Sequence, residues 1–263
     1  MYILKIFSRG VSPMKSIICH FYNEEYLLPW WLEHHKKYFD YGLMINYKST
    51  DRSVEIINEI CPDWQVVDSV NLEFSAAEVD DEVMYYEKQI PGWKIALNVT
   101  EFLIGNYSLL TEDETSRNIY VPSFYFVDEN DNTFINSDKP LYEQLTNGID
   151  FVDNPMLRKL RCLHNHQVKY VPGRHFSNFD DAIDDFVIFN YGFSPMNEDL
   201  ISRKLQIQNR IPESDKRKNW GSEHHDSNRG LTAEKLYDIL NTVHRPQSKD
   251  LSDKMKKYLE MLE

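Results

Sequence analysis

No apolar run in this 263-residue sequence approaches the roughly 20 residues of a membrane-spanning helix, so the chain reads as one without a membrane span. The start, Met1 to Pro13, has only a short apolar stretch broken by Lys5 and Arg9, too short for a signal-peptide core. Met14 stands just ahead of the first strand and reads as an alternative start. Cysteine is scarce as well. Cys19, Cys61 and Cys162 are far apart, odd in number and without metal-ligand spacing, the pattern of reduced core thiols in a cytoplasmic protein. Positive charge is in deficit: 29 Lys and Arg face 42 Asp and Glu, for a net charge of −13. A protein that grips a long nucleic acid needs a basic surface to release counterions, so nucleic acid is not an expected partner. A small phosphate ligand stays open, because a local basic cluster can hold a diphosphate within an acidic chain. There is no internal repeat and no low-complexity segment.

What is present is the balance of an ordinary globular protein, 41% hydrophobic and 27% charged. Aromatics reach 13%, enough to serve a core and to line sugar or base pockets. Short apolar runs at Ser16–Phe21, Gly42–Tyr47, Trp64–Val67 and Lys94–Leu97 read as buried strands. Between them, Tyr26–Tyr38, Val54–Ile60 and Asp80–Gln89 carry apolar positions at helical spacing, and Ser49-Thr50-Asp51 offers cap chemistry for the second helix. Strand alternating with helix predicts an α/β fold with a mostly parallel central sheet flanked by helices, whose ligands sit beyond the carboxyl ends of the strands. Three polar clusters fall there: His20 to Glu24, Asn46 to Asp51, and Asn98 to Glu101. Farther on, Ile119–Val127 and Asp185–Tyr191 read as strands, and Leu200–Arg210 as a helix rich in Lys, Arg and Gln. The amphipathic tail Leu251–Glu263 is expected to pack as a terminal helix, because Lys and Glu alternate on its polar face. The whole chain is taken as one domain. Its nucleotide-binding half covers about 14–108, its acceptor half about 109–245, and its terminal helix about 249–263.

Cys19-His20-Phe21-Tyr22-Asn23-Glu24-Glu25, running into Trp31-Leu32-Glu33-His34-His35, resembles the opening of a branch of glycosyltransferase family 2. Asn46-Tyr47-Lys48-Ser49-Thr50-Asp51-Arg52-Ser53 is similar to that family's second nucleotide-binding loop. Trp93 to Phe102 stands where the family has Trp-x-x-x-x-Asp-x-Asp-Glu-Phe. Pro172-Gly173-Arg174-His175 is similar to its Gly-x-His loop, and Phe189-Asn190-Tyr191 with Asn219-Trp220-Gly221 to its closing segments. The likeness runs from about Ser16 to about Leu240. It implies a GT-A-like fold and an enzyme of the hexosyltransferase kind. The implied donor is a nucleotide-sugar, a UDP-sugar, and the acceptor a glycan, protein or lipid-linked hydroxyl. There are departures: Asn98 and Thr100 replace both metal-binding aspartates, and Asn46 stands where Asp is usual.

The residues divide accordingly. His20, Tyr22 and Asn46 are candidates for the donor pocket, against a reading of Tyr22 as a strand-end aromatic and Asn46 as a turn former. Asn98, Thr100 and Glu101 mark the phosphate position. The resemblance implies a divalent cation, Mn or Mg, held by Glu101 and His175. Arg158, Arg161, His164 and Arg174, with Lys169 nearby, form a cationic cluster able to replace the metal's charge through charge-assisted hydrogen bonds. Glu101 and Asp81 are the catalytic candidates. Glu101 has the alternative of a helix cap or a pair with a core arginine, and Asp80, Asp81 and Glu82 the alternative of an acidic helix start. His34 and His35 point about 100° apart on a helix and read as structural. Besides an inverting glycosyltransferase, a non-catalytic nucleotide- or glycan-binding protein stays open. A nucleotidyltransferase would be expected to keep two metal carboxylates, which this chain lacks.

Overall fold

The computed structural model describes residues 13–112, 116–131, 133–153, 161–170, 173–174, 185–221, 224–225 and 230–262. The first half follows the alternation expected from sequence. Strands β1 (Lys15–Phe21), β2 (Tyr41–Asn46), β3 (Gln65–Asp68) and β4 (Trp93–Ala96) alternate with helices α1 (Leu28–His35), α2 (Ser53–Ile60) and α3 (Ala76–Glu87). These four strands are parallel neighbours. In β1 the side chains divide by parity: Ile17, Cys19 and Phe21 join Leu28, Trp31, Leu32 and Ile57 of α1 and α2, while Ile18 joins Val79 and Val83 of α3. A strand apolar on both faces is what a sheet covered by helices on both sides requires. All three cysteines are buried and none is in a disulfide.

The sheets are mixed rather than mostly parallel. Strands β5 (Glu101–Gly105), β6 (Asn118–Val121), β7 (Ser123–Val127), β8 (Asn147–Ile149), β9 (Arg161–His164), β10 (Phe186–Phe193) and β11 (Lys249–Asp250) follow. The first sheet has six strands, ordered β3-β2-β1-β4-β9-β6, and β9 is antiparallel to both its neighbours. A second sheet has five, ordered β11-β8-β7-β10-β5, with only the β7–β10 pair parallel. Among the described strands the chain changes sheet at β4–β5, β5–β6, β6–β7, β8–β9 and β9–β10. The β6–β7 passage is at Pro122, which has no N–H to continue a ladder. Ile119–Val127 is therefore two strands in two sheets. Helices α4 (Glu198–Ile207), α5 (Glu213–Arg217), α6 (Ala233–Ile239) and α7 (Ser252–Leu259) complete the chain. Met255 and Tyr258 of α7 are buried in the main core, with Leu259 and Leu262 packed against it, so the tail is a packed helix.

Helix α1 ties the two sheets together. Trp31 Nε1 donates to the Glu101 carbonyl at 2.9 Å, and His34 Nε2 donates to the Leu103 carbonyl at 2.8 Å. The Leu103 N–H donates to His35 Nε2 at 3.2 Å, leaving His35 Nδ1 to donate to the Trp31 carbonyl. Both histidines are thus structural: with Trp31 they fix where β5 begins. Burial pushes the His34 imidazole down to about 4, against the upward pull of its bond to Leu103. Burial, with His34 beside it, likewise holds His35 well below the ordinary range. The unfolded chain, with histidine near 6.5, binds the extra proton first as pH falls. The stability from His34 is therefore complete above about pH 6.5 and lost as pH falls toward 4, about 2 kcal/mol of it by pH 5. Urea midpoints at pH 7 and pH 5 should differ in that sense, and equal midpoints would contradict it.

Candidate functional site

The turns that follow β1 and β2 are hydrogen-bonded to each other. Asn23 has φ of 50° and its Oδ1 accepts the Thr50 N–H at 2.7 Å. The Glu24 N–H donates to Ser53 Oγ at 2.8 Å, and the Arg52 N–H to Glu25 Oε2 at 3.0 Å. The same turn holds α4. Glu24 forms a two-pronged pair with Arg203, Nη2 to Oε1 at 2.7 Å, and Asn23 exchanges hydrogen bonds with Gln206. Burial raises the Glu24 carboxyl, with Arg203 opposing the rise. The Asn-Glu turn therefore places α4, and α4 brings Arg203 and Lys204 to the wall of a cavity.

That cavity, about 450 Å³, opens at the carboxyl ends of β1 and β4, where a doubly wound sheet binds ligands. His20, Tyr22, Asn98, Thr100, Glu101, Arg161 and Arg174 of the sequence-expected residues line it, together with His224. Among its charged lining residues Arg161, Arg174, Arg203 and Lys204 balance Glu24, Asp80, Glu101 and Asp215. In a chain of net charge −13 this is a locally neutral hollow, open to an anion.

Glu101 is 1% exposed and both its oxygens meet Arg161, Nε to Oε2 and Nη2 to Oε1, each at 2.8 Å. Oε2 also accepts the Asn98 N–H at 2.9 Å. This is the pair with a core arginine, and it ties the 98–101 turn to β9. Arg161 Nη1 donates in addition to the Gly173 carbonyl. Arg174 follows with φ of 56°, a left-handed conformation that costs a non-glycine residue about 1–2 kcal/mol. Its backbone is held by Asp80, whose Oδ2 accepts the Gly173 N–H at 2.8 Å and the Arg174 N–H at 3.3 Å. The guanidinium is aimed by two neutral acceptors, His20 Nδ1 at 3.0 Å from Nη1 and Asn98 Oδ1 at 2.6 Å from Nη2. Burial, then Arg174 and Arg161, hold the His20 imidazole well below its ordinary range, so it accepts as a neutral ring. Arg174 is 4% exposed, and its Nε has no hydrogen-bond partner among the described residues. A buried donor left unpaired costs about 1–3 kcal/mol.

On another wall lie Tyr22 and Phe74, ring centroids 5.8 Å apart, with the Arg210 guanidinium 4.2 Å from the Tyr22 centroid and 4.8 Å from that of Phe74. Phe74 also stacks on Tyr47 at 5.0 Å. Phe74 carried no signal in the sequence, since it sits in an aperiodic loop. Arg203 and Lys204 were visible only as part of a basic helix.

Three expected residues are not brought to the cavity. Asn46 spends its amide on the turn after β2, Nδ2 donating to Asp68 Oδ1 at 2.9 Å and Oδ1 accepting the Ser49 N–H at 2.8 Å. Asp81 is exposed on α3, and its neighbour Asp80 is the carboxylate on the cavity side. His164 is fully buried on β9, its Nε2 3.1 Å from the Tyr170 hydroxyl and 3.4 Å from Glu87. Lys169 is exposed away from the cavity. Arg158 and His175 lie outside the described residues.

Solved structures that match the chain include S. aureus TarS. One TarS structure matches at 15% identity and TM-score 0.29, covering 34% of this chain and 17% of that chain. TarS 1-349 matches at 11% identity and TM-score 0.40, covering 74% and 64%. TarS 1-349 in complex with UDP-GlcNAc matches at 11% identity and TM-score 0.35, covering 74% and 63%. The chain thus spans less than two thirds of each of these chains. No protein-family model and no curated protein matches it.

Among the described residues, the donors at this site do not fit the divalent cation implied by the family resemblance. Both Glu101 oxygens face Arg161, and Asn98 Oδ1 faces a guanidinium. Among the described residues no group of three or more His, Cys, Asp or Glu could hold a metal ion. A hard dication wants several oxygen ligands, and here the oxygens are spent on arginines and backbone N–H groups.

Proposed function

We propose that this cavity is the donor site of a glycosyltransferase, which moves a sugar from a UDP-sugar to a hydroxyl acceptor on a glycan, protein or lipid-linked carrier, with inversion. The observation that carries the reading is Arg174, an arginine of the cavity wall whose two Nη atoms are held by neutral acceptors, in a cavity that also presents the Tyr22–Phe74 aromatic pair. A nucleoside diphosphate is the ligand whose parts match both: an anion for the guanidinium and a flat ring for Tyr22 and Phe74. As the acceptor oxygen bonds to the sugar's anomeric carbon and gives up its proton to water, the bond to the diphosphate breaks and negative charge collects on the leaving group. A guanidinium held in place before that moment stabilises it without reorganising. Glu101 serves this site by holding Arg161 and the 98–101 turn.

A binder without transfer activity is the second reading, favoured by Asn98 and Thr100 standing in for carboxylates. Two steps separate them. UDP and UDP-sugars at about 100 times Kd should raise the melting midpoint by about 5–10 °C, because a ligand of the native state alone adds about 2.7 kcal/mol. A transferase should then release sugar slowly from the bound donor to water, and a binder should not. No shift with any nucleoside diphosphate would defeat both.

A further inference from the structure

We propose that this site takes its donor's diphosphate without a divalent cation, the Arg174 guanidinium standing where the metal would be. The proposal rests on the nucleotide-sugar reading above and names the charge that reading requires. At the first position of the Asp-x-Asp-like segment an aspartate would pair with Arg174 and cancel it. Asn98 accepts the same hydrogen bond, 2.6 Å from Nη2, and leaves the positive charge intact. His20 does likewise at Nη1, as a neutral acceptor. The nearest carboxylate on that side, Asp80, keeps Oδ1 3.8 Å from Nη1 and spends Oδ2 on the backbone N–H groups of Gly173 and Arg174. It therefore positions the loop more than it neutralises the side chain. The remaining donor, Nε, is buried and has no hydrogen-bond partner among the described residues, while the residue itself lines the cavity. Glu101, the one acidic residue that the segment keeps, is closed to a metal by its two-pronged pair with Arg161. The replaced aspartates and the arginine are one arrangement: neutral acceptors hydrogen-bonded to both Nη atoms of a fixed cation, with Asp80 its longer-range ion-pair partner. A planar guanidinium suits phosphate oxygens, and as part of the chain it needs no loading.

Calorimetric titration of the intact chain with UDP, in chelator and in manganese, tests this. Wild type should bind UDP equally in both, within about 2-fold. Arg174→Gln should weaken UDP binding about 10–100-fold, the worth of a charged hydrogen bond, and leave uridine binding unchanged. Manganese should not restore it. Asn98→Asp gives the sharper sign. It should weaken UDP binding, because the new carboxylate cancels Arg174, whereas a metal site would gain a ligand and bind tighter in manganese. If Arg174→Gln fails to fold, Arg174→Lys and Asn98→Asp carry the test. Manganese raising wild-type UDP affinity about 10-fold or more, or strengthening UDP binding to Asn98→Asp, overturns the proposal. Failure of the nucleotide reading looks different: pyrophosphate would bind in chelator and depend on Arg174 while UDP does not bind. If neither binds, both fall.

Discussion

Glu101→Gln should cost about 3–5 kcal/mol of stability, because it leaves the Arg161 charge buried without a counter-charge. The partners are 1% and 2% exposed, and water cannot replace the lost carboxylate. An amide with its oxygen in the Oε2 place keeps the Asn98 N–H and the Nε prong, but sets an NH2 donor against Arg161 Nη2 where Oε1 accepted. Urea unfolding of Glu101→Gln, set beside the double variant Glu101→Met with Arg161→Met, separates the loss of a pair from the loss of a charge. The double variant should recover much of the deficit, since a buried ion pair often exchanges with apolar residues at little cost. A Glu101→Gln protein as stable as wild type but inactive would contradict this and return Glu101 to the free catalytic or metal-binding role expected from sequence.

Glu24→Gln should cost a similar amount, about 3–5 kcal/mol, and lose it in a different place. Arg203, 7% exposed, would be left facing an amide, and α4 would lose its anchor to the turn after β1. Helix α4 also brings Lys204 against the Phe193 ring, 3.8 Å from its centroid, so one wall of the cavity depends on this anchor. Amide hydrogen exchange resolves the effect. The amides of α4 should lose protection before those of β1 and β2, in a local opening. Uniform loss across the sheet, with α4 no worse than the rest, would show that the pair serves global stability only.

How much of this was legible in the sequence depended on the range of the interaction. The four parallel strands were legible because each is a short apolar run closed by polar turn residues, and the strands ending near Phe21, Tyr47 and Leu97 are neighbours as expected. The second sheet was not. Its strands β5 and β10 are buried throughout, which gives no face periodicity to assign a sheet, although Asp185–Tyr191 read as a strand, and β6 and β7 read as one strand because a single proline divides them. Asp80 and Asp81 could not be told apart because one residue on a helix turns the side chain about 100°, and the helix begins at Ala76 rather than Asp80. Glu101 and Arg161 are 60 residues apart, and no local pattern marks two such residues as partners. Asn46 had the right place at a strand end, yet Asp68 on the neighbouring strand claims its amide. Arg174 was legible only as one of several basic residues. Its isolation by neutral acceptors belongs to the fold.

A crystal structure of the protein with UDP tests the central claim most directly. The diphosphate should lie against the Arg174 guanidinium and the uracil ring against Tyr22 and Phe74, inside the cavity at the ends of β1 and β4. UDP bound instead in the separate groove lined by Trp30, His34 and Tyr142, or phosphates out of reach of Arg174, would contradict it.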